Sequence, residues 1–142
     1  MADALTKMLN LNKVLARLAK VPPTQAAAAG DQLKTEVDDL VEAQKRAAPV
    51  DPESDNPGNF RDSHRAYKNP DRPLSYRVIN DAKDASGKPI ASNIEQGHRT
   101  VDGKHVPGAH SFFATYRARK KGMRRRVLGA SRKALKQIYP KD

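Results

Sequence analysis

Apolar residues recur at three- and four-residue steps near both ends of this 142-residue chain, while the centre alternates short apolar runs with proline and glycine. Leu5, Met8, Leu9, Leu15 and Leu18 share one face of a helix expected over residues 4–20, which Pro22 and Pro23 stop. Thr24 can cap a second helix running to Ala48, with Ala26, Ala29, Leu33, Val37, Leu40, Val41 and Ala47 as its stripe. Gly30 weakens that helix without breaking its period. Residues 49–58 hold three prolines, one glycine and acidic side chains, which predicts an irregular, solvated and mobile loop. Residues 60–68 and 75–81 read as short strands that can pair across the turn at 69–73. After a second turn at 84–89, residues 90–96 predict a helical turn closed by Gly97. From Ser111 onward, Phe112, Tyr116, Met123, Val127, Leu135 and Ile138 return to helical spacing, with Gly122 and Gly129 as points where a long terminal helix can bend. No internal repeat is visible.

The expectation is one α+β domain over 1–142: a helical region at 4–48, the acidic loop at 49–58, a small antiparallel sheet with loops at 59–110, and a basic helix at 111–139. The apolar fraction of 37%, with three Phe, four Tyr and no Trp, supports only a modest core. Such a chain is either partly disordered or a subunit that completes its burial by assembling.

Charge sharpens this picture because it is uneven. Of the formal +11, a net +10 lies in residues 117–142, where eleven Lys and Arg face only Asp142. Arg117, Arg119, Lys120, Lys121, Arg124, Arg125 and Arg126 crowd together and repel one another unless phosphates, carboxylates or another subunit neutralise them. Asp31, Glu36, Asp38, Asp39 and Glu42 give the second helix the opposite character, so the two segments can meet within one subunit or between neighbours.

Candidate chemistry is sparse. The absence of Cys excludes disulfides and thiolate metal sites. Lys7, Lys13 and Arg17 interrupt the first apolar stretch, so no signal peptide or membrane span is expected and the product should be soluble and cytoplasmic. Glu95, His98, His105 and His110 could in principle hold zinc or manganese, but their spacing matches no metal motif. Asp62, Ser63 and His64 carry triad residue types, yet consecutive strand residues point to opposite faces. Gly87 and Lys88 lack the rest of a phosphate loop. No cofactor and no catalysis are expected. The basic cluster favours contact with DNA or an acidic partner over a merely solvated face, although only Tyr116 is at hand for base stacking.

The order of short motifs is more informative than any one of them. Ala48-Pro49-Val50-Asp51, then Gly58-Asn59-Phe60-Arg61-Asp62-Ser63, then Ile94-Glu95-Gln96-Gly97-His98, then Ala109-His110-Ser111-Phe112-Phe113 resembles the tail-completion or neck proteins of tailed bacteriophages, the family of lambda minor tail protein Z. The resemblance covers about residues 10–140. This chain departs from the family pattern in six residues inserted between Asp51 and Gly58, in Phe60 for leucine, in Ile90 where an aromatic is common, and in His110-Ser111 interrupting a Pro-Phe pattern.

What the resemblance implies is an α/β subunit with a long helix on a small antiparallel sheet and no catalytic role. It also implies assembly as a homo-oligomeric ring, a hexamer being one candidate, at the head-tail junction of the virion after synthesis in the host cytoplasm. Its neighbours would be connector, tail terminator or tail tube proteins, with non-specific contact to packaged DNA. The basic cluster at 117–126 would then face DNA or an adjoining ring, and Asp38, Asp39, Glu42 and Glu95 would supply the subunit interface. For Glu95, capping of a turn and simple solvation are the other readings. Pro49, Asp51, Gly58 and Gly97 would shape the connecting turns. The rival readings are a small stand-alone DNA-binding protein and a metal-dependent nuclease.

Overall fold

The computed structural model describes residues 23–138; the helix expected over 4–20 lies outside the described residues. Helix α1 spans Pro23–Ala47, α2 is the single turn Asn59–Asp62, and β1 and β2 are His64–Lys68 and Tyr76–Asn80. Helix α3, Ala91–Gln96, leads directly into β3, Gly97–Arg99; β4, His105–Pro107, and α4, Ser111–Ile138, follow. The fold is α+β as the sequence predicted.

Apolar periodicity explains the two long helices. Ala29, Leu33, Val37, Leu40 and Val41 of α1 meet Phe112, Met123 and Val127 of α4, and Val78 of β2 closes one core over them. Burial of that shared stripe holds two helices together whose outer surfaces remain in water. Thr24 lies inside α1 and does not cap it. The helix ends where Pro49 disfavours α geometry in the preceding residue. Gly30 has a packing reason, because a Cβ there would stand 3.1 Å from Leu74 Cδ2. Helix α4 continues through Gly122 and Gly129.

Helices α1 and α4 are antiparallel, and three polar contacts fix their register. Near one end Gln25 Nε2 donates to the Ser131 carbonyl at 3.3 Å, and near the other Gln44 Nε2 donates to the Phe112 carbonyl at 3.1 Å. Between them Arg126 grips Glu36 with both Nε, at 2.6 Å, and Nη2, at 2.8 Å. Glu36 is only 3% exposed, and Gln32 donates to the same carboxylate. Gly122 makes room for the grip, since a Cβ there would lie 3.0 Å from Arg126 Nη1.

The centre differs from expectation in two places. Residues 59–62 form a helical turn because Gly58 enters it at φ 81° and Ser63 Oγ bonds back to the Asn59 carbonyl, so β1 begins only at His64. Strands β1 and β2 do pair antiparallel, His64 opposite Asn80 and Lys68 opposite Tyr76. Residues 98–110, which carried no expected element, contribute a second antiparallel ribbon, β3 with β4, whose side chains are almost all exposed. A smaller core of Phe60, Ala82 and Ala91 lies under the loops. Residues 49–58 have no regular element, as expected. Among the described residues no helix is long and apolar enough to cross a membrane.

Burial would raise the pKa of Glu36, but the hydrogen bonds from Arg126 and Gln32 and the charges of Arg126 and Arg119 outweigh it and hold the carboxyl below its ordinary 4.5. Arg126→Gln should therefore destabilise the fold by about 2 kcal/mol, chiefly by stranding a buried carboxylate. The double variant Glu36→Gln with Arg126→Gln should recover at least half of that loss in a urea-unfolding double-mutant cycle; additive losses would mean the pair is not coupled.

Candidate functional site

Two features outside the apolar core stand out: a polar junction at the start of α4 and the cationic outer face of the same helix. The junction begins with the unsatisfied N–H groups that every helix N-terminus presents. His110 turns the chain into α4 at φ 52°. Glu95, at the end of α3, supplies the cap from sixteen residues away. Its carboxylate accepts from Phe112 N at 2.9 and 3.1 Å, from Phe113 N at 3.2 Å and from Ser111 Oγ at 3.4 Å. The negative charge sits against the positive end of the helix dipole, which favours it there.

Glu95 is 1% exposed. Its expected place at a subunit interface is therefore corrected, because the side chain is buried within the subunit, and what it caps is not the local turn at Gly97 but the start of α4. The backbone makes the reach possible. Gly97 has φ 85°, and a Cβ on it would lie 2.5 Å from the Val106 carbonyl oxygen; one on Gly108 would lie 2.4 Å from the Glu95 carbonyl oxygen. The chain thus returns against itself, with Ala109 N and His110 N bonded to the Ile94 and Glu95 carbonyls.

Phe112 links this cap to the rest of the fold. Its carbonyl accepts from Gln44 of α1, and its ring stacks on His64 of β1 with centroids 5.9 Å apart. His64 is 2% exposed and meets Phe60 edge-on at 5.1 Å. Its Nδ1 lies 2.9 Å from the Arg61 carbonyl and 3.2 Å from Asn80 Nδ2. Burial pushes its pKa below the usual 6.5, against the opposing pull of the Arg61 carbonyl and the Glu95 charge. Ser63 sits at the end of α2 with its hydroxyl turned to Asn59, so Asp62, Ser63 and His64 form no catalytic array. His98 and His105 stand on the exposed ribbon, and among the described residues no three His, Asp or Glu side chains gather around a possible metal position.

The outer face of α4 is the second feature. Helix α4 contains no Asp or Glu. Of the seven clustered cations expected to meet DNA or a partner, the structure separates one: Arg126 is bound to Glu36 within the chain. Arg117 lies with Cζ 6.0 Å from the Phe113 centroid, and Arg119 and Arg124 are half-buried on the flanks. Lys120, Lys121 and Arg125 are exposed without an ion pair among the described residues. Reading by local density missed Arg132 and Lys136, which share this exposure and which helical periodicity places near Arg125.

The acidic candidates fare differently. Asp38 and Glu42 are exposed but pair with Lys34 and Lys45 on α1 itself, and Asp39 is exposed. Pro49 and Asp51 lie in the exposed loop, where Asp51 Oδ1 accepts from Glu53 N. Comparison with protein-family models, curated proteins and solved structures yields no match.

Glu95→Gln should lower stability by about 2 kcal/mol, because an amide replaces a charged acceptor against the helix N–H groups; a urea midpoint within error of the parent would refute the cap. His64 sets a pH dependence. The folded protein binds this proton less readily than the unfolded chain, so its stabilising effect is complete above pH 6.5 and is lost as pH falls through the lower folded value. Thermal melts from pH 8 to 5.5 should show this loss, and His64→Phe should flatten it. Glu36 shifts in the same sense in a lower window, its contribution being lost as pH falls from 4.5 through its depressed folded value.

Proposed function

We propose that this chain is a structural subunit of a tailed-phage neck, assembled as a homo-oligomeric ring that completes the head-tail junction and lets DNA pass. The observation that carries the reading is the junction at Phe112. Two of the short motifs behind the resemblance, Ile94 to His98 and Ala109 to Phe113, are bonded to each other through Glu95 and the α4 N–H groups. The other two lie at the end of α1 and at the entry to the β1–β2 hairpin. Motifs that sit where elements join support a family resemblance better than motifs scattered over a surface, because each has a geometric job.

In this reading the chain catalyses nothing and works in the virion, against connector, tail terminator or tail tube proteins. A ring needs a heterologous interface. Since Glu36 is spent on Arg126 and Asp38 and Glu42 are paired locally, the acidic side of that interface falls to Asp39 and to the exposed loop acids Asp51, Glu53 and Asp55. A second reading, a small stand-alone DNA-binding protein, is favoured by the acid-free sequence of α4.

Mass measurement combined with negative-stain imaging separates the two readings. The neck assignment expects rings, or rings formed on addition of phage particles, and recovery of the chain with those particles. A strictly monomeric protein that binds DNA and never associates with particles would refute it.

A further inference from the structure

The geometry points to a phosphate-backbone surface on one lane of α4, formed by Lys121, Arg125, Arg132 and Lys136 with Ala114, Ala118 and Gly129 on the same face, as the site where this chain meets nucleic acid. Successive members of the lane lie three or four residues apart, so they share one face of the helix. That face is opposite Met123 and Val127, which are turned to α1.

Three observations carry this assignment. Lane charges are unopposed: no carboxylate occurs on α4, and among the described residues none is ion-paired with these four cations. Elsewhere Lys34, Lys45, Arg61 and Arg65 pair with Asp38, Glu42, Asp62 and Asp81, and the cations that stand unpaired there among the described residues, such as Arg72, Arg77, Arg99 and Lys104, are dispersed over the hairpin and ribbon and share no helix face. Like charges also stand one turn apart, Arg117 with Lys121, Lys121 with Arg125, and Arg132 with Lys136, an arrangement that opposes the helix until a polyanion joins it. A face that served only solubility would gain from mixed signs.

Shape agrees with charge. Ala114, Ala118 and Gly129 are exposed, and a Cβ on Gly129 would meet nothing within 4 Å. The lane therefore offers cations on long flexible stems above a floor of small residues, without an aromatic platform, which suits a sugar-phosphate backbone and not stacked bases. From Lys121 to Lys136 the helix rises about 22 Å, a length over which duplex DNA carries about a dozen phosphate charges. Arg126 and Arg119 do not belong to this surface, since the first is bound to Glu36 and the second adds its charge to the same carboxylate.

The inference does not depend on ring assembly, and its test does not either. Fluorescence anisotropy of the full chain with a random duplex of about 30 base pairs should give an affinity that falls steeply with salt. Replacing Lys121, Arg125, Arg132 and Lys136 by Gln keeps helix propensity; it should weaken binding by about 100-fold and reduce the salt slope by about 3. A control that removes the same charge from the hairpin and ribbon, Arg72→Gln, Arg77→Gln, Arg99→Gln and Lys104→Gln, should weaken binding by no more than about fivefold. Equal losses in the two variants would mean that net charge alone governs binding and would overturn the site. Competition by poly-glutamate as effective as unlabelled duplex at equal charge would overturn the assignment to phosphate. In low salt the lane variant should unfold at a urea concentration equal to or above that of the parent; earlier unfolding would assign these cations a structural role instead. A protein that binds through the lane yet stays monomeric supports this site while removing the ring.

Discussion

Helix α4 can begin only where its first N–H groups find acceptors, and Glu95 is the acceptor. Because the carboxylate comes from α3, the cap ties the direction of α4 to the path of the chain through Gly97, the ribbon and Gly108. Phe112, the second residue of the helix, is then held through its N–H by Glu95, its carbonyl by Gln44 and its ring by His64. Four elements converge on that one residue. A modest apolar core is not by itself directional, so such convergence of directional bonds is what selects one arrangement of two long helices.

The same logic extends along the helix pair. Gln25, Glu36 and Gln44 lie on the apolar side of α1, and each is buried against α4 with a specific partner. A slip of one turn would leave all three without partners, at a penalty that apolar contacts alone would not impose. The bond between Glu36 and Arg126 also has an electrostatic consequence. It consumes one cation of the terminal cluster internally and leaves the others facing outward, so the charge that the cluster presents to a partner is narrower than the sequence count and is oriented away from α1.

Much of the architecture was legible in the residues. The α1 and α4 stripes, the proline stop at Pro49, the paired strands around the 69–73 turn and the glycine closing α3 follow from periodicity and turn chemistry, both local properties. Where locality failed, the reasons are specific. Phe60 and Arg61 have residue types that suit a strand, but Gly58 and Ser63 close a helical turn around them. The β3–β4 ribbon lacks an apolar alternation because neither of its faces is covered. Glu36 carried a readable signal, an acid placed between Leu33 and Leu40 on an apolar stripe, which implies a buried partner without naming it.

Sequence by itself determined the two long helices of the described residues, the α+β class, the place of the irregular loop and the concentration of positive charge at one end. Only the tertiary structure decided that Glu95 is a cap and not a contact, that His64 is a core residue, that Arg126 belongs to Glu36, and that Lys121, Arg125, Arg132 and Lys136 form the outward lane. The physical reason is that periodicity and composition act over a few residues. Hydrogen bonding and ion pairing across sixteen to ninety positions depend on how separate elements pack.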